Sequence, residues 1–215
     1  MERITLLASL CEGSECVCDV GCDHAYALTK ALLDFNCKRG IASDINVGPL
    51  SAAKENIKAK GLEDRIDIVL SDGFKEINIP FDTAVVAGMG GNLIKDILSE
   101  SLSKIKGKKL ILEANNDQSV VRKFLMDNGF MISDEFAINE NGKYYEIIVA
   151  LPGNISYTET ELKFGPVLLK KKPEAFISFY NRKIGLLMTV INSTMDQFKK
   201  MQKQKEINDI MAAIK

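Results

Sequence analysis

The sequence has no run of about 18 consecutive apolar residues, which excludes a helix that crosses a bilayer. The N-terminal patch MERITLLASLCEG is apolar, but it has no basic segment before it and no small-residue cleavage pattern after it. It therefore does not read as a signal peptide, and a cytoplasmic protein is expected. Cysteine is scarce beyond the start of the chain. All five (Cys11, Cys16, Cys18, Cys22, Cys37) fall in the first 37 residues, an odd number without framework spacing, so reduced thiols are expected. A zinc site built from Cys16, Cys18, Cys22 and the only histidine, His24, competes with a plainer reading. Cys16 and Cys18 sit in an apparent buried strand, where free cysteine behaves as a small hydrophobe, and no metal is expected. No internal repeat or low-complexity segment is present.

What remains is ordinary for a soluble globular chain: 215 residues, 46% hydrophobic and 27% charged, enough for one medium domain with an appendage. The net charge of −1 is unevenly placed. Residues 156–215 carry 11 Lys/Arg against 6 Asp/Glu, which leaves residues 1–155 acidic. A polyanion partner for the tail and a simple solvated helix surface fit this imbalance equally well.

Short apolar runs alternate with amphipathic stretches. Cys16–Val20, Arg39–Ser43, Ile66–Leu70, Thr83–Ala87 and Lys109–Glu113 read as strands. Tyr26–Phe35, Gly48–Lys60, Leu93–Leu102 and Ser119–Asn128 read as helices, with Pro49 in a first turn and Gly61 and Gly129 as stops. Phe130–Ile138 and Tyr144–Leu151 flank the turn Glu140-Asn141-Gly142, a hairpin signal. Five β–α units and a closing hairpin imply an α/β fold with a doubly wound, mainly parallel, Rossmann-like sheet and an antiparallel edge. A linker with Pro152, Gly153 and Pro166 then leads to a helical region from Pro173 onward. There Ile184, Leu187, Met188, Ile191, Met195, Phe198 and Met201 form a near-heptad stripe, and Ile207, Ile210, Met211 and Ile214 a second one. Compactness favours a hairpin turning near Asn192–Asp196 over one long helix. The expected division is thus 1–155, a cofactor domain, and 156–215, a basic, coiled-coil-like helical domain.

In such sheets ligands bind beyond the carboxyl ends of the strands, near the switch in strand order. The strand ends here carry Asp19-Val20-Gly21-Cys22-Asp23, Asp44, Asp72 and Gly88-Met89-Gly90-Gly91. A dinucleotide loop wants G-x-G-x-x-G and no inward acid, and Asp19 and Asp23 would repel its phosphates. S-adenosylmethionine (SAM) carries a sulfonium and an ammonium, so the same carboxylates become favourable. Asp-x-Gly-x-Asp after a strand is also the opening loop of a class of SAM-binding enzymes. Gly21 permits the tight turn and brings backbone N–H groups near a ligand. Asp44 suits ribose hydroxyls, and Asp72 an adenine amino group. Asp44 could equally be only a helix entry and Asp72-Gly73 only a turn. The Gly88–Gly91 segment offers flexible backbone where many amine methyltransferases carry Asn/Asp-Pro-Pro-aromatic. His24 could act as a general acid/base or merely brace the loop. Tyr26 could stack on a base or simply pack.

Together the motifs DVGCDHAYAL (19–28), ASDINVGPLSAA (42–53), SDGF (71–74), VAGMGGNLIKDIL (86–98), NGKYYEIIVA (141–150) and LKFGP (162–166) resemble one family, the bacterial tRNA (adenine-22-N1)-methyltransferases. The resemblance implies SAM-dependent methylation of adenine N1 in tRNA, with the helical tail helping to hold the RNA. It implies that Asp19, Gly21, Asp44, Ile45, Asp72, Gly73, Gly88, Met89 and Gly90 surround SAM, with Asp23 and His24 near the target base. The family commonly shows Gln-Pro-Asn after the fifth strand, where this chain has Glu113-Ala114-Asn115. The Asn is kept and a negative charge is added, so Glu113 is given no role. Tyr26-Ala27 replaces the common Tyr-Leu. A monomer is expected. The alternatives are a methyltransferase of a small molecule or protein with a dimerising tail, and a non-catalytic SAM-binding module associated with RNA.

Overall fold

The computed structural model describes residues 2–215; Met1 of the N-terminal patch lies outside the described residues. Helix α1 (Glu2–Leu10) leads into strand β1 (Cys16–Val20), helix α2 (Tyr26–Asp34), strand β2 (Arg39–Asp44), helix α3 (Val47–Ala59) and strand β3 (Ile66–Leu70). Strand β4 (Thr83–Met89), helices α4 (Gly91–Glu100) and α5 (Leu102–Ile105), strand β5 (Lys109–Ala114) and helix α6 (Gln118–Asp127) follow. Strands β6 (Phe130–Glu140) and β7 (Lys143–Pro152) form a hairpin. Helices α7 (Glu159–Phe164), α8 (Leu168–Lys171), α9 (Glu174–Ser193) and α10 (Gln197–Ile214) end the chain.

The strands form one sheet in the order β3-β2-β1-β4-β5-β7-β6, parallel through β5 and antiparallel at β7 and β6. This is the expected Rossmann-like, doubly wound arrangement, and its order switches between β1 and β4. Strand side chains alternate between the two sheet faces. Cys18, Ala84, Val86, Leu110 and Leu112 pack with Ile94 and Leu98 of α4 and Val121 and Leu125 of α6. Their neighbours Val17, Val85, Ile111 and Ile147 pack with Leu7 of α1, Leu28 and Leu32 of α2 and Ile57 of α3. Each fully buried Leu or Ile of this kind contributes about 1.5–3 kcal/mol.

Several expectations need correction. The link from β3 to β4, residues 71–82, contains no helix, so one of the five β–α units is a loop. Phe74, Ile77 and Phe81 anchor it in the core, and the Lys104 ammonium donates to the carbonyls of Phe74 (2.8 Å), Lys75 (2.6 Å) and Ile77 (2.9 Å) in place of helical bonds. The N-terminal patch is a helix whose Leu7 and Ala8 are buried. The presumed linker holds α7, started by a Thr158–Glu161 capping box. Cys16 is only half-buried, whereas Cys18 lies in the core. The tail does form a hairpin, turning between Ser193 and Gln197. Its apolar stripe is not continuous core, because Met195, Phe198 and Met201 at the turn are exposed. Reversal of the chain there leaves them beyond the reach of the sheet.

One buried charge cluster ties the helical region to the sheet. Arg122 of α6 is fully buried and donates through Nε to Glu135 of β6 (2.7 Å) and through Nη2 to Glu146 of β7 (2.5 Å). The other oxygen of Glu135 accepts the backbone N–H groups of Val167 (2.8 Å) and Leu168 (3.3 Å), and Tyr144 donates to Glu146 at 2.9 Å. Burial pushes the Glu135 carboxyl up, and the Arg122 charge opposes it. Next to this cluster, Phe164, Leu168, Phe176, Tyr180, Ile207 and Ile210 pack against Ala137 of β6. Arg122→Met leaves two buried carboxylates without their cation, and we expect a loss of about 3–5 kcal/mol. A lowered urea midpoint at unchanged slope checks this, and an unchanged midpoint would refute it.

Candidate active site

The first loop is shaped by a chain of positive backbone angles. Gly21 has φ 70°, a conformation that favours glycine, and a Cβ there would lie 2.1 Å from Met89 Cε, so any larger residue would also have to displace the flexible tip of that side chain. Asp23 (φ 49°) and Ala25 (φ 54°) are also left-handed, which few non-glycine residues adopt. The N–H groups of Gly21 and Cys22 donate to the Ser43 carbonyl at 2.8 and 3.0 Å. This corrects the expected role of the loop: these two donors bind β2, not a ligand. Asn56 of α3 braces the loop by donating to the His24 carbonyl at 2.9 Å.

Between the ends of β1 and β4, at the switch point, lies a cavity of about 240 Å³. Its walls include Asp19, Gly21, Asp23, His24 and Gly88, all expected site residues. They also include Arg3 and Leu7 of α1, Tyr26, and Val85 and Ala87 of β4. Strand alternation accounts for the grouping, since Asp19 and Ala87 lie two residues past Val17 and Val85, on the face that α1 covers. His24 stacks on Tyr26 with ring centroids 5.2 Å apart, and its Nε2 lies 3.7 Å from Asp23 Oδ1. The Asp23 side chain is 72% exposed, so this contact leaves it accessible to a partner in the cavity.

Asp19 differs from Asp23 in state. It is 6% exposed, and burial, helped by the Asp44 charge, pushes its carboxyl up to about 7. A carboxylate in that condition favours a cationic ligand, which would hold it ionised.

The remaining expected residues lie outside this cavity, along the same carboxyl edge of the sheet. Asp44 is nearly buried, and its Oδ1 accepts the Asn46 N–H at 2.9 Å, the geometry of a helix entry that leaves its second oxygen uninvolved in that bond. Ile45 is exposed beside it. Asp72 is exposed and pairs with Lys75 at 2.5 Å, next to Gly73. Gly88 and Met89 do not present open, flexible backbone as expected. Asn115 donates its side chain to the Gly88 carbonyl (2.7 Å) and its N–H to the Met89 carbonyl (2.8 Å). Gly90 precedes α4, and a Cβ on Gly91, the first residue of α4, would meet the Asp117 carbonyl at 2.5 Å, so Gly91 lets the start of α4 pack closely on the turn that opens α6.

Sequence reasoning missed Arg3 and left Glu113 without a role. Glu113 is fully buried, two residues past Ile111 on the α1 face, and Arg3 donates to it. The signal was present in two places: an arginine one helical turn before an apolar residue, and an acid at a strand end.

Residues 17–215 match the family described as TrmK, tRNA (adenine(22)-N(1))-methyltransferase. The chain is 31% identical to the Bacillus subtilis (strain 168) protein of that description over 225 residues, covering 100% of this chain and 94% of the relative. A Streptococcus pneumoniae structure solved in complex with S-adenosyl-L-methionine superposes with a TM-score of 0.91 at 30% identity, covering 100% of this chain and 99% of the other. The structure of M. capricolum TrmK with the cofactor product S-adenosyl-homocysteine gives a TM-score of 0.88 at 27% identity, covering 100% and 97%.

The state of Asp19 has a measurable consequence. Its folded pKa of about 7 lies above the ordinary unfolded value of about 3.9, so between those values the folded protein keeps a proton that the unfolded chain has released. Its contribution to stability therefore falls as pH rises through that window. We expect Asp19→Asn to stabilise the ligand-free protein at about pH 8 by an amount on the order of 4 kcal/mol, and far less at about pH 4. Denaturant titrations at both pH values check this; equal effects at the two would refute it.

Proposed function

The chain belongs to the tRNA (adenine(22)-N(1))-methyltransferase family, and on that premise we propose how its residues divide the work. It is a SAM-dependent enzyme that methylates N1 of adenine 22 in tRNA. The observation that carries the assignment of the site is the acid-lined cavity at the β1/β4 switch point beneath α1.

The residues present fit SAM by the chemistry of their donors. Asp19 is a buried carboxylate suited to a cationic ligand, and Asp44 at the next strand end is suited to ribose hydroxyls. We assign Gly21, Ile45, Asp72, Gly73, Gly88, Met89 and Gly90 to the same cofactor along the carboxyl edge. When bound, SAM supplies an electrophilic methyl group on a sulfonium. Adenine N1 already carries a lone pair, so the protein's task is alignment rather than deprotonation. Asp23 and His24 border the cavity at its open side, where Tyr26 offers a ring face for a base drawn out of its stack. Asp23 stabilises the positive charge that develops on the methylated ring, or accepts from the adenine amino group. His24 positions Asp23, to which its Nε2 is turned.

We assign residues 1–155 to cofactor and chemistry and 156–215 to grip on the tRNA. Lys199 and Lys200 stand in the first turn of α10, where the helix dipole disfavours cations, next to the exposed Met195 and Phe198. A polyanion would repay that local misfit. No described helix is long and apolar enough to cross a membrane, and we take the enzyme to act on its tRNA substrate as a cytoplasmic monomer.

Mapping methylated nucleotides in total tRNA tests the reading. Cells lacking the gene lose 1-methyladenine at position 22, and the wild-type gene restores it. Asp23→Ala turns over about 10- to 100-fold more slowly at saturating substrates with SAM affinity retained; full turnover would remove Asp23 from the mechanism. For the tail, Lys199→Glu with Lys200→Glu weakens tRNA binding and lowers the slope of log affinity against log salt by about 2. Binding insensitive to both changes would move the RNA contact elsewhere.

A further inference from the structure

Arg3 borders the reaction cavity, and nothing in the mechanism above employs it. Its guanidinium is held on several sides. Nη1 donates to the fully buried Glu113 carboxylate, and the ring of Tyr145 lies 4.9 Å from its Cζ. Its own backbone N–H donates to Glu140 at 3.3 Å, fastening the start of α1 to the β6–β7 hairpin. Tyr145 lies two residues before Ile147 in β7, on the same sheet face as Glu113.

The pair is costly as a purely structural device. Arg3 Nε and Glu113 Oε1 are both buried without a hydrogen-bond partner among the described residues. Burial pushes the Glu113 carboxyl up while Arg3 pulls it back. Buried ion pairs with unmet polar atoms stabilise less than an apolar pair of similar volume. A planar, rigidly held donor on the wall of a base-binding cavity has a clearer use: guanidinium N–H groups suit the in-plane acceptors of a heteroaromatic ring.

Adenine has three such acceptors, N1, N3 and N7, and N1 must stay open to the methyl donor. Resting on the function proposed above, we propose that Arg3 orients the target adenine by donating to N3 or N7. Glu113 is then a positioning residue. It fixes the guanidinium and balances its charge, so that the cationic 1-methyladenine formed in the same cavity meets a neutral pair rather than a bare cation.

The test uses the full-length enzyme and tRNA carrying adenosine, 3-deazaadenosine or 7-deazaadenosine at position 22, in single turnovers at about pH 8. Either deaza change makes N1 more basic, so a slower reaction cannot come from a weaker nucleophile. Wild type should methylate one of the two analogues about 10- to 100-fold more slowly than adenosine. Arg3→Ala should lose a similar factor on adenosine, lose nothing further on that analogue, and keep its SAM affinity. Should Arg3→Ala fail to fold, Arg3→Lys, which keeps the charge but not the planar fork, should narrow the discrimination at least severalfold. Glu113→Gln, which keeps an acceptor but leaves the Arg3 charge unbalanced, should lower kcat with KM little changed. Equal rates on all three substrates, or discrimination that survives in the Arg3 variants, would overturn the inference. No methyl transfer to adenine 22 by wild type would sink the functional reading instead.

Discussion

The alternation of side chains along a strand is the constraint on which this molecule depends. The positions that build the core beneath α1 and α2 are Val17, Val85, Ile111 and Ile147. Two residues along each of these strands toward the carboxyl edge of the parallel sheet come Asp19, Ala87, Glu113 and Tyr145. The same geometry that buries one set delivers the other to a single place. A shift of one residue in β1 would turn Asp19 toward α4 and α6 and expose Val17's place to a cysteine. Core and site are therefore two stretches of one pattern, and neither can be rearranged alone.

That pattern also sets the electrostatics. Three carboxylates, those of Asp19, Asp23 and Glu113, reach the region of the cavity in three different environments. Asp19 is buried beside another acid and sits high, Asp23 is open to water, and Glu113 is buried against a guanidinium. The low-dielectric floor and the wet rim give the same functional group different tasks. On the roles proposed for these residues, this gradation suits a chemistry that begins with a sulfonium and ends with a cationic ring.

Much of this was legible in the sequence. Apolar runs alternating with amphipathic stretches, together with the Asn141-Gly142 turn, were enough for the sheet and its antiparallel edge, and the acid or glycine at each strand end pointed to the residues that line the cavity at β1 and β4. The loop over residues 71–82 escaped because its order comes from a distant side chain, Lys104, that replaces helical hydrogen bonds. The engagement of Gly21, Cys22, Gly88 and Met89 backbone groups by Ser43 and Asn115 was invisible because the partners come from distant stretches of the chain. Arg3 was missed because its meaning depends on Glu113, 110 positions away. Each residue alone looks like an accident of composition.

The Arg122 cluster has a consequence for how the chain comes apart. Glu135 takes two backbone donors from the stretch that opens α8, while Arg122 is sealed by the strands of the hairpin. Peeling the C-terminal helices away would strip Glu135 of those donors and admit water to a cation whose partners are fixed in the sheet. A half-detached tail is thus a high-energy species, and unfolding of the helices and of the sheet edge is a single cooperative event. The C-terminal helices are not a pendant on a flexible tether but share their stability with β7, the strand beside β5.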